Sequence, residues 1–426
     1  MERFLLAVQG MMQSTHHMAL ATLLTLFTIL LSACGDEPVT PPIEEPDDPI
    51  EWMELHTEDY LEDRAWRRAR LEETMWRPDL PYAKKLLENY GLERGGWDLL
   101  PVLDFQVAPV YGPESDRPFS PSSLMERRPE TREEWLALGE RAFWEMPMRR
   151  DPYIEWIAQH PEHWEEVGLK QNEDGSLRGF TRYIDPRGRE RVGITCGLCH
   201  GANDEPGFAD SHIDMGRARA LYMESRGLDP EPFIYWGPGK LDVTNDNVDD
   251  PVAIPNLWGA SEQAYFNASG SIRVVSPASA AVRFETQYII NHSFEARPDR
   301  ALPWALAMFM MSLQAPETTP EPSEALQAGE ALFMQKCAGC HIPERGYSGE
   351  LIPASALTSD PAISQSITRG TGFYRAPSLL GLSRGGPYLH DLSASTLDDL
   401  LLGGHPTGET LDEASRARLI LFLETL

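Results

Sequence analysis

The hydrophobic pattern of the chain changes period several times. From Met18 to Leu31 it is almost wholly apolar and then reaches Ser32-Ala33-Cys34. That run is short for a membrane span and ends on small residues, which predicts a signal peptide over residues 1–33. From Asp36 to Asp63 the chain holds many acidic residues and prolines and no Lys or Arg. Its first part predicts an acidic, Pro-rich tether over residues 34–50. Trp52, Leu55, Tyr60 and Leu61 then recur at roughly helical spacing. They open a helical N-terminal extension over residues 51–130, to which the sequence assigns no role.

Further along, the pattern repeats itself. Leu136-Ala-Leu-Gly139-Glu140-Arg-Ala-Phe143 is echoed by Leu326-Gln-Ala-Gly329-Glu330-Ala-Leu-Phe333, with Gly and Phe four apart on one helix face. Pro255-Asn-Leu257-Trp-Gly259-Ala-Ser261, with Tyr265-Phe-Asn267 after it, parallels Pro377-Ser-Leu379-Leu-Gly381-Leu-Ser383, with Tyr388-Leu-His390 after it. Apolar helices predicted over Ala301–Leu313 and Leu411–Leu426 close the two halves. Pro316 to Ser323, rich in Pro, Thr and Glu, separates them. The pattern therefore predicts a duplicated, mainly α chain: a first domain over 131–315, a linker over 316–323 and a second domain over 324–426. The first half carries a long insertion. Glu173-Asp-Gly-Ser176 and Asp185-Pro-Arg-Gly188 are turn signals flanking Phe180–Ile184 and preceding Arg191–Thr195. They predict a small β-meander leading into Cys196.

Composition narrows the class. The chain has 426 residues, 42% hydrophobic and 24% charged, which is that of an ordinary globular protein. Its formal net charge is −29, from 66 acidic against 37 basic residues, and this argues against nucleic acid as a partner. An acidic surface can steer a small basic redox protein, and it also serves plain solubility. Asp242-Val-Thr-Asn245-Asp246-Asn247-Val-Asp249-Asp250 gathers oxygen ligands but lacks the Gly and distal Glu of an EF-hand loop; it reads first as a solvated acidic turn, with calcium as the weaker alternative.

The five cysteines carry the most information. Four form Cys196-Gly-Leu-Cys199-His200 and Cys337-Ala-Gly-Cys340-His341; the fifth is Cys34. In C-x-x-C-H two thiols add to the haem vinyl groups and the adjacent imidazole binds iron, so the pair predicts two covalent c-type haems with His200 and His341 as proximal ligands. A four-thiolate zinc site built from both pairs is the rival, and it leaves the two histidines unexplained. Leu31-Ser32-Ala33-Cys34 resembles a bacterial lipobox, which implies acylation of Cys34, a lipid anchor in the membrane, and a periplasmic or cell-envelope location.

What such haems do depends on the sixth iron position. No Met follows Met334, and His390 and His405 are the downstream imidazoles for the second site. For the first site His212 and Met215 lie close after His200, with Met223 a third choice, while His292 is read as structural. The second half resembles the class I cytochrome c fold, in which Gly329 and Phe333 would cross a C-terminal helix carrying Leu419, Phe422 and Leu423. From Tyr374-Arg-Ala-Pro377-Ser-Leu379 through Pro387-Tyr388-Leu389-His390-Asp391, the chain is similar to the bacterial di-haem cytochrome c peroxidase superfamily, a likeness covering approximately Thr131 to Leu426. The resemblance implies two tandem class I-like cytochrome c domains and makes His405 the sixth ligand of the second haem. It also places a distal ligand of the first haem where His212 and Met215 stand. The family's W-D-G-R stretch is replaced here by Phe266-Asn267-Ala268-Ser269-Gly270, and its catalytic Glu has no matching context at Glu285. The architecture and haem sites therefore carry over, and the peroxidase activity does not. The resulting expectation is electron transfer with a redox protein such as a small cytochrome or a cupredoxin. The alternative is a peroxidase-like oxidoreductase with one open haem.

Overall fold

The computed structural model describes residues 45–90, 96–242, 248–406, 408 and 410–426. The signal segment, Cys34 and most of the tether lie outside the described residues, as do Asn245, Asp246 and Asn247.

Helix α1 (Pro49–Leu55) begins where Asp48 accepts hydrogen bonds from the amides of Ile50 and Glu51, at 2.9 and 2.8 Å. Helices α2 (Thr57–Glu62), α3 (Arg64–Thr74) and α4 (Pro81–Tyr90) follow. Beyond Tyr90 the expectation of a helical extension fails. Gln106–Tyr111 forms strand β1 and Ser122–Ser123 forms β2. The run Gln106-Val-Ala-Pro-Val-Tyr is β-forming apart from Pro109, and the ladder register shifts between Pro109 and Tyr111, as a proline in a strand requires.

Helix α5 (Arg132–Glu145) is capped by Thr131, and α6 (Pro152–Ala158) follows. Strands β3 (Ser176–Ile184) and β4 (Glu190–Ile194) pair antiparallel, with Phe180 opposite Ile194. The Asp185 side chain accepts from the amides of Arg187 and Arg189 and closes the turn between them. The predicted meander is thus a hairpin in a four-stranded sheet ordered β2-β1-β3-β4, half of which the N-terminal extension supplies. After β4 comes α7 (Cys196–His200), then α8 (Met215–Ser225), α9 (Ala278–Asn291) and α10 (Ala301–Ser312).

Every residue of α10 from Ala301 to Met311 is buried, so this helix lies inside the core rather than on its rim. Against it crosses α5. A Cβ on Gly139 would come closer than 3.0 Å to the Ala305 carbonyl and Phe309 Cβ, so this position admits no side chain. The second half repeats the crossing. Helix α11 (Glu324–Lys336), capped by Ser323, meets the last long helix at Gly329. A Cβ there would run into the Arg418 carbonyl, with Phe422 Cβ at 3.1 Å. Strands β5 (Leu351–Pro353) and β6 (Phe373–Arg375) form a ribbon, and α12 (Leu397–Leu402) and α13 (Glu413–Leu423) complete the chain. Phe143 meets Phe309 at 5.6 Å between ring centres, and Phe333 meets Phe422 at 5.2 Å. Leu419 and Leu423 pack in the same cluster as Phe333. Gly329→Ala is expected to cost roughly 1–3 kcal/mol of unfolding free energy by overpacking this crossing, measurable by denaturant titration.

The extension has a structural role that the sequence did not disclose. Tyr60 stacks on Trp304 of α10 at 4.6 Å, and the Trp304 indole donates to the Thr57 hydroxyl at 3.1 Å. The Trp76 indole donates to the Gly270 carbonyl at 2.9 Å, while the next residue, Arg77, donates to the Thr371 carbonyl at 3.2 Å. One short stretch therefore ties the first half to the second.

His292 is structural, as read. Its ring nitrogens meet the Pro147 carbonyl at 2.8 Å and the Tyr183 hydroxyl at 3.2 Å, and it stacks on Tyr288 at 4.0 Å. Burial pushes its pKa down from 6.5 to about 3. The folded state therefore takes up this proton less readily than the unfolded chain. The resulting contribution to stability rises with pH between about 3 and 6.5, by up to about 1.4 kcal/mol per pH unit, and is flat above. His292→Gln should remove one proton's worth of that slope, read from denaturant midpoints at pH 5 and pH 7.

Candidate functional site

The two C-x-x-C-H motifs stand at corresponding places in the two halves. Strand β4 ends at Ile194, and the Thr195 amide is held by the Gly179 carbonyl at 2.9 Å, so Cys196 starts α7 directly off the sheet. Gly179, at φ +76°, lets β3 press against Leu198, where a Cβ would collide with the Leu198 backbone. The Trp144 ring from α5 covers the opposite side, against Gly197 and Gly201. In the second half the motif is the turn that ends α11. The Cys337 amide bonds to the Phe333 carbonyl at 2.8 Å, and the His341 amide bonds to the Cys337 carbonyl at 2.9 Å.

The histidines are oriented alike. His200 Nδ1 lies 3.0 Å from the Pro255 carbonyl, and His341 Nδ1 lies 3.2 Å from the Pro377 carbonyl and 3.0 Å from that of Tyr347. A carbonyl partner makes Nδ1 the protonated nitrogen and leaves the Nε2 lone pair for a metal. The repeated P-x-L-x-G-x-S segments thus contribute their proline carbonyls to the two sites, a role the repeat hinted at and the sequence reading missed. The segments also pack on each other. Gly259 and Gly381, at φ +71° and +87°, turn so tightly that a Cβ on the first would meet Ser378 and one on the second would meet the Trp258 ring. Trp258 is 2% exposed and donates to the Pro206 carbonyl at 3.2 Å.

The thiols do not suit redox dithiol chemistry. Burial pushes Cys196 and Cys199 up to about 12 and Cys337 up to about 11. A redox dithiol needs the opposite shift. Among the described residues, which include all four motif cysteines, no three His, Cys, Asp or Glu side chains gather as a metal site, so the two pairs do not meet in a four-thiolate centre. The acidic turn proposed for calcium is partly outside the described residues. Asp242 and Asp250 are drawn to the Arg369 guanidinium, and Asp249 lies 3.5 Å from Arg219.

The proposed facing ligands fall in different surroundings. His405 is mostly buried just beyond α12, and among the described residues its Nδ1 has no hydrogen-bond partner. Burial pushes its pKa down to about 4, and the nearby His341 imidazole adds to the effect. His390 is engaged elsewhere, stacked on Tyr374 at 4.4 Å and bonded to its hydroxyl at 3.1 Å. In the first half, Asp210 is wholly buried. It pairs with Arg178 at 2.9 Å and accepts from the His212 amide at 2.9 Å. That turn leaves the His212 side chain 77% exposed. Met215 is fully buried, in the apolar cluster that contains Leu198 and Cys199, with Met223 at its edge. Glu285 is wholly buried but committed, with Arg300 Nε at 3.1 Å and the Tyr60 hydroxyl at 3.2 Å.

No family model matches the chain, and no curated protein sequence does. Solved structures do align with it. One is hydrazine synthase from Kuenenia stuttgartiensis, at 13% identity and a TM-score of 0.36, over 71% of this chain and 90% of that one. Another is a MauG-like protein associated with microbial copper homeostasis, at 16% identity and a TM-score of 0.28, over 70% and 90%. At these values the likeness does not reach to function.

Proposed function

We propose that this chain is a di-haem c-type cytochrome that transfers electrons in the periplasm or cell envelope. The observation that carries the reading is the doubled constellation: a Cys-x-x-Cys pair, a histidine with Nδ1 held by a proline carbonyl, and a duplicated helix crossing behind it. The residues fit the group. Cys196 and Cys199, and Cys337 and Cys340, would hold two haems through thioether bonds, with His200 and His341 on the irons. Bound haem supplies a one-electron iron couple. The proline carbonyls fix each imidazole and raise its basicity. The direct packing of the Pro255 and Pro377 segments keeps the two sites in one rigid frame. His405, with an unpartnered nitrogen near His341, closes the second site. Met215, buried in the cluster with Cys199, is the preferred facing ligand at the first, with Met223 a further choice. Cys34 would carry the lipid anchor, and a small cytochrome or a cupredoxin would be the redox partner.

A second reading, a peroxidase-like oxidoreductase with one open haem, draws on the asymmetry of the sites, since His405 lies near His341 whereas His212 stands in solvent. The commitment of Glu285 to Arg300 and Tyr60 weighs against it, because the carboxylate in the matching region is held by structural partners. Absorption and EPR spectra of the oxidised and half-reduced protein separate the two. Two low-spin haems, unchanged by peroxide, are expected for the carrier; a high-spin haem that reacts with peroxide would overturn it.

A further inference from the structure

Burying an arginine away from a countercharge is costly, so buried guanidinium groups are paired. Five buried arginines obey this. Arg67 stands 3.1 Å from Asp98, Arg149 2.6 Å from Asp151, Arg178 2.9 Å from Asp210 and Arg300 3.1 Å from Glu285, while Arg369 pairs with Asp250. Around the second site Arg345, Arg384 and Arg416 are likewise committed, to Glu350, Glu205 and Asp398.

Arg375 breaks the pattern. It is half-buried at the end of β6, and among the described residues its side chain makes no ion pair and no hydrogen bond. Desolvation alone acts on it, pushing its pKa down to about 10 with no carboxylate to oppose the shift. Arg283 and Arg297 also lack an ion pair among the described residues, but Arg297 lies in the field of Glu285, Asp98 and Asp299, and Arg283 sits on α9, away from the ribbon that carries the Pro377 carbonyl. The backbone around Arg375 is fixed from two sides. Its amide donates to the Ala268 carbonyl at 3.1 Å, and Leu351 faces it across the ribbon. Strand alternation puts the buried Tyr374 side chain on one face and Arg375 on the other. Two residues further on is the Pro377 carbonyl that holds His341.

We infer that Arg375 is the countercharge for a propionate carboxylate of the second haem. The inference rests on the di-haem reading above. A covalently attached c-type haem keeps both propionates, which are anionic at neutral pH, whereas Arg345, Arg384 and Arg416 around the second site are already paired. The corresponding position in the first half, two residues before Pro255, is Ala253. The pairing is therefore particular to the second site. It raises that haem's affinity for an electron relative to a site with an unpaired propionate, and so helps direct electrons from the first haem to the second.

The test is a mediated redox titration from pH 5 to pH 8 on protein produced with haem attached, with haems counted by pyridine haemochrome. Wild type, Arg375→Gln and Arg375→Lys are compared, together with Cys337→Ser/Cys340→Ser, which lacks the second haem. Arg375→Gln is expected to keep two haems. It should lower the equilibrium constant for reduction of the second haem roughly tenfold, the size of one unit charge at an effective dielectric constant of about 20. It should also make that constant pH-dependent, because an unpaired propionate takes up a proton in this range. Arg375→Lys should restore most of both effects, and the remaining haem of the cysteine variant should not respond to Arg375→Gln. Two attached haems with a titration unchanged in Arg375→Gln would overturn the inference. So would equal losses in Arg375→Gln and Arg375→Lys, which would mark a role in shape rather than charge. Wild-type protein without covalent haem would instead refute the reading on which the inference stands.

Discussion

Cys196→Ser combined with Cys199→Ser is expected to halve the haem content of the protein and to leave the second haem spectroscopically intact. Each half supplies its own thiols, its own histidine and its own proline carbonyl, from Pro255 or Pro377. The helix crossings behind them are also separate, at Gly139 on α5 and at Gly329 on α11. The haem-binding turn of the first half is braced independently by β3 and by Trp144. Losing one haem should therefore not undo attachment at the other. Pyridine haemochrome, referred to protein concentration, reads the result as one haem per chain. Loss of both haems would show that the halves fold or mature as one unit. Retention of both would contradict the assignment of these cysteines.

The second large effect is expected at His405. His405→Ala should convert the second haem from low-spin to high-spin, with millimolar free imidazole restoring the low-spin spectrum. The imidazole is mostly buried, and its pKa is pushed down to about 4, so a lone pair is available on it at neutral pH. Its unpartnered Nδ1 would otherwise be a cost of roughly 1–3 kcal/mol. The residue is positioned by α12, whose first turn is locked reciprocally by Thr396 and Asp399, and its amide bonds to the Leu400 carbonyl at 3.3 Å. EPR of the oxidised variant reads the outcome; an unchanged low-spin signal would remove His405 from the coordination sphere.

The sequence made local, periodic features legible. Gly139 and Gly329, each four residues from a phenylalanine, marked one face of each of two helices because that spacing is periodic, and the cytochrome c resemblance implied the crossing at Gly329. The turn signals around Phe180–Ile184 announced the hairpin for the same reason. What was missed depends on contacts between distant residues. Pro109 masked β1, whose partner lies some seventy residues on, at Arg182 and Thr181. The role of the extension rests on Trp76 reaching Gly270 and Arg77 reaching Thr371, which no periodicity encodes. His212 looked like a ligand by spacing, and the buried Arg178–Asp210 pair beside it is what turns it into solvent. The Pro255 and Pro377 carbonyls were visible as a repeat without a reason. Backbone groups leave no side-chain signature, and only the position of Nδ1 on each histidine explains why those prolines recur.

The central claim, two haems held covalently by two Cys-x-x-Cys-His motifs, is tested most directly by the intact mass of the denatured full chain, produced in a host that attaches c-type haem. The account predicts the mass of the processed polypeptide plus two haems, surviving denaturation and acid–acetone extraction. A polypeptide mass without haem, accompanied by zinc in the native protein, would contradict it.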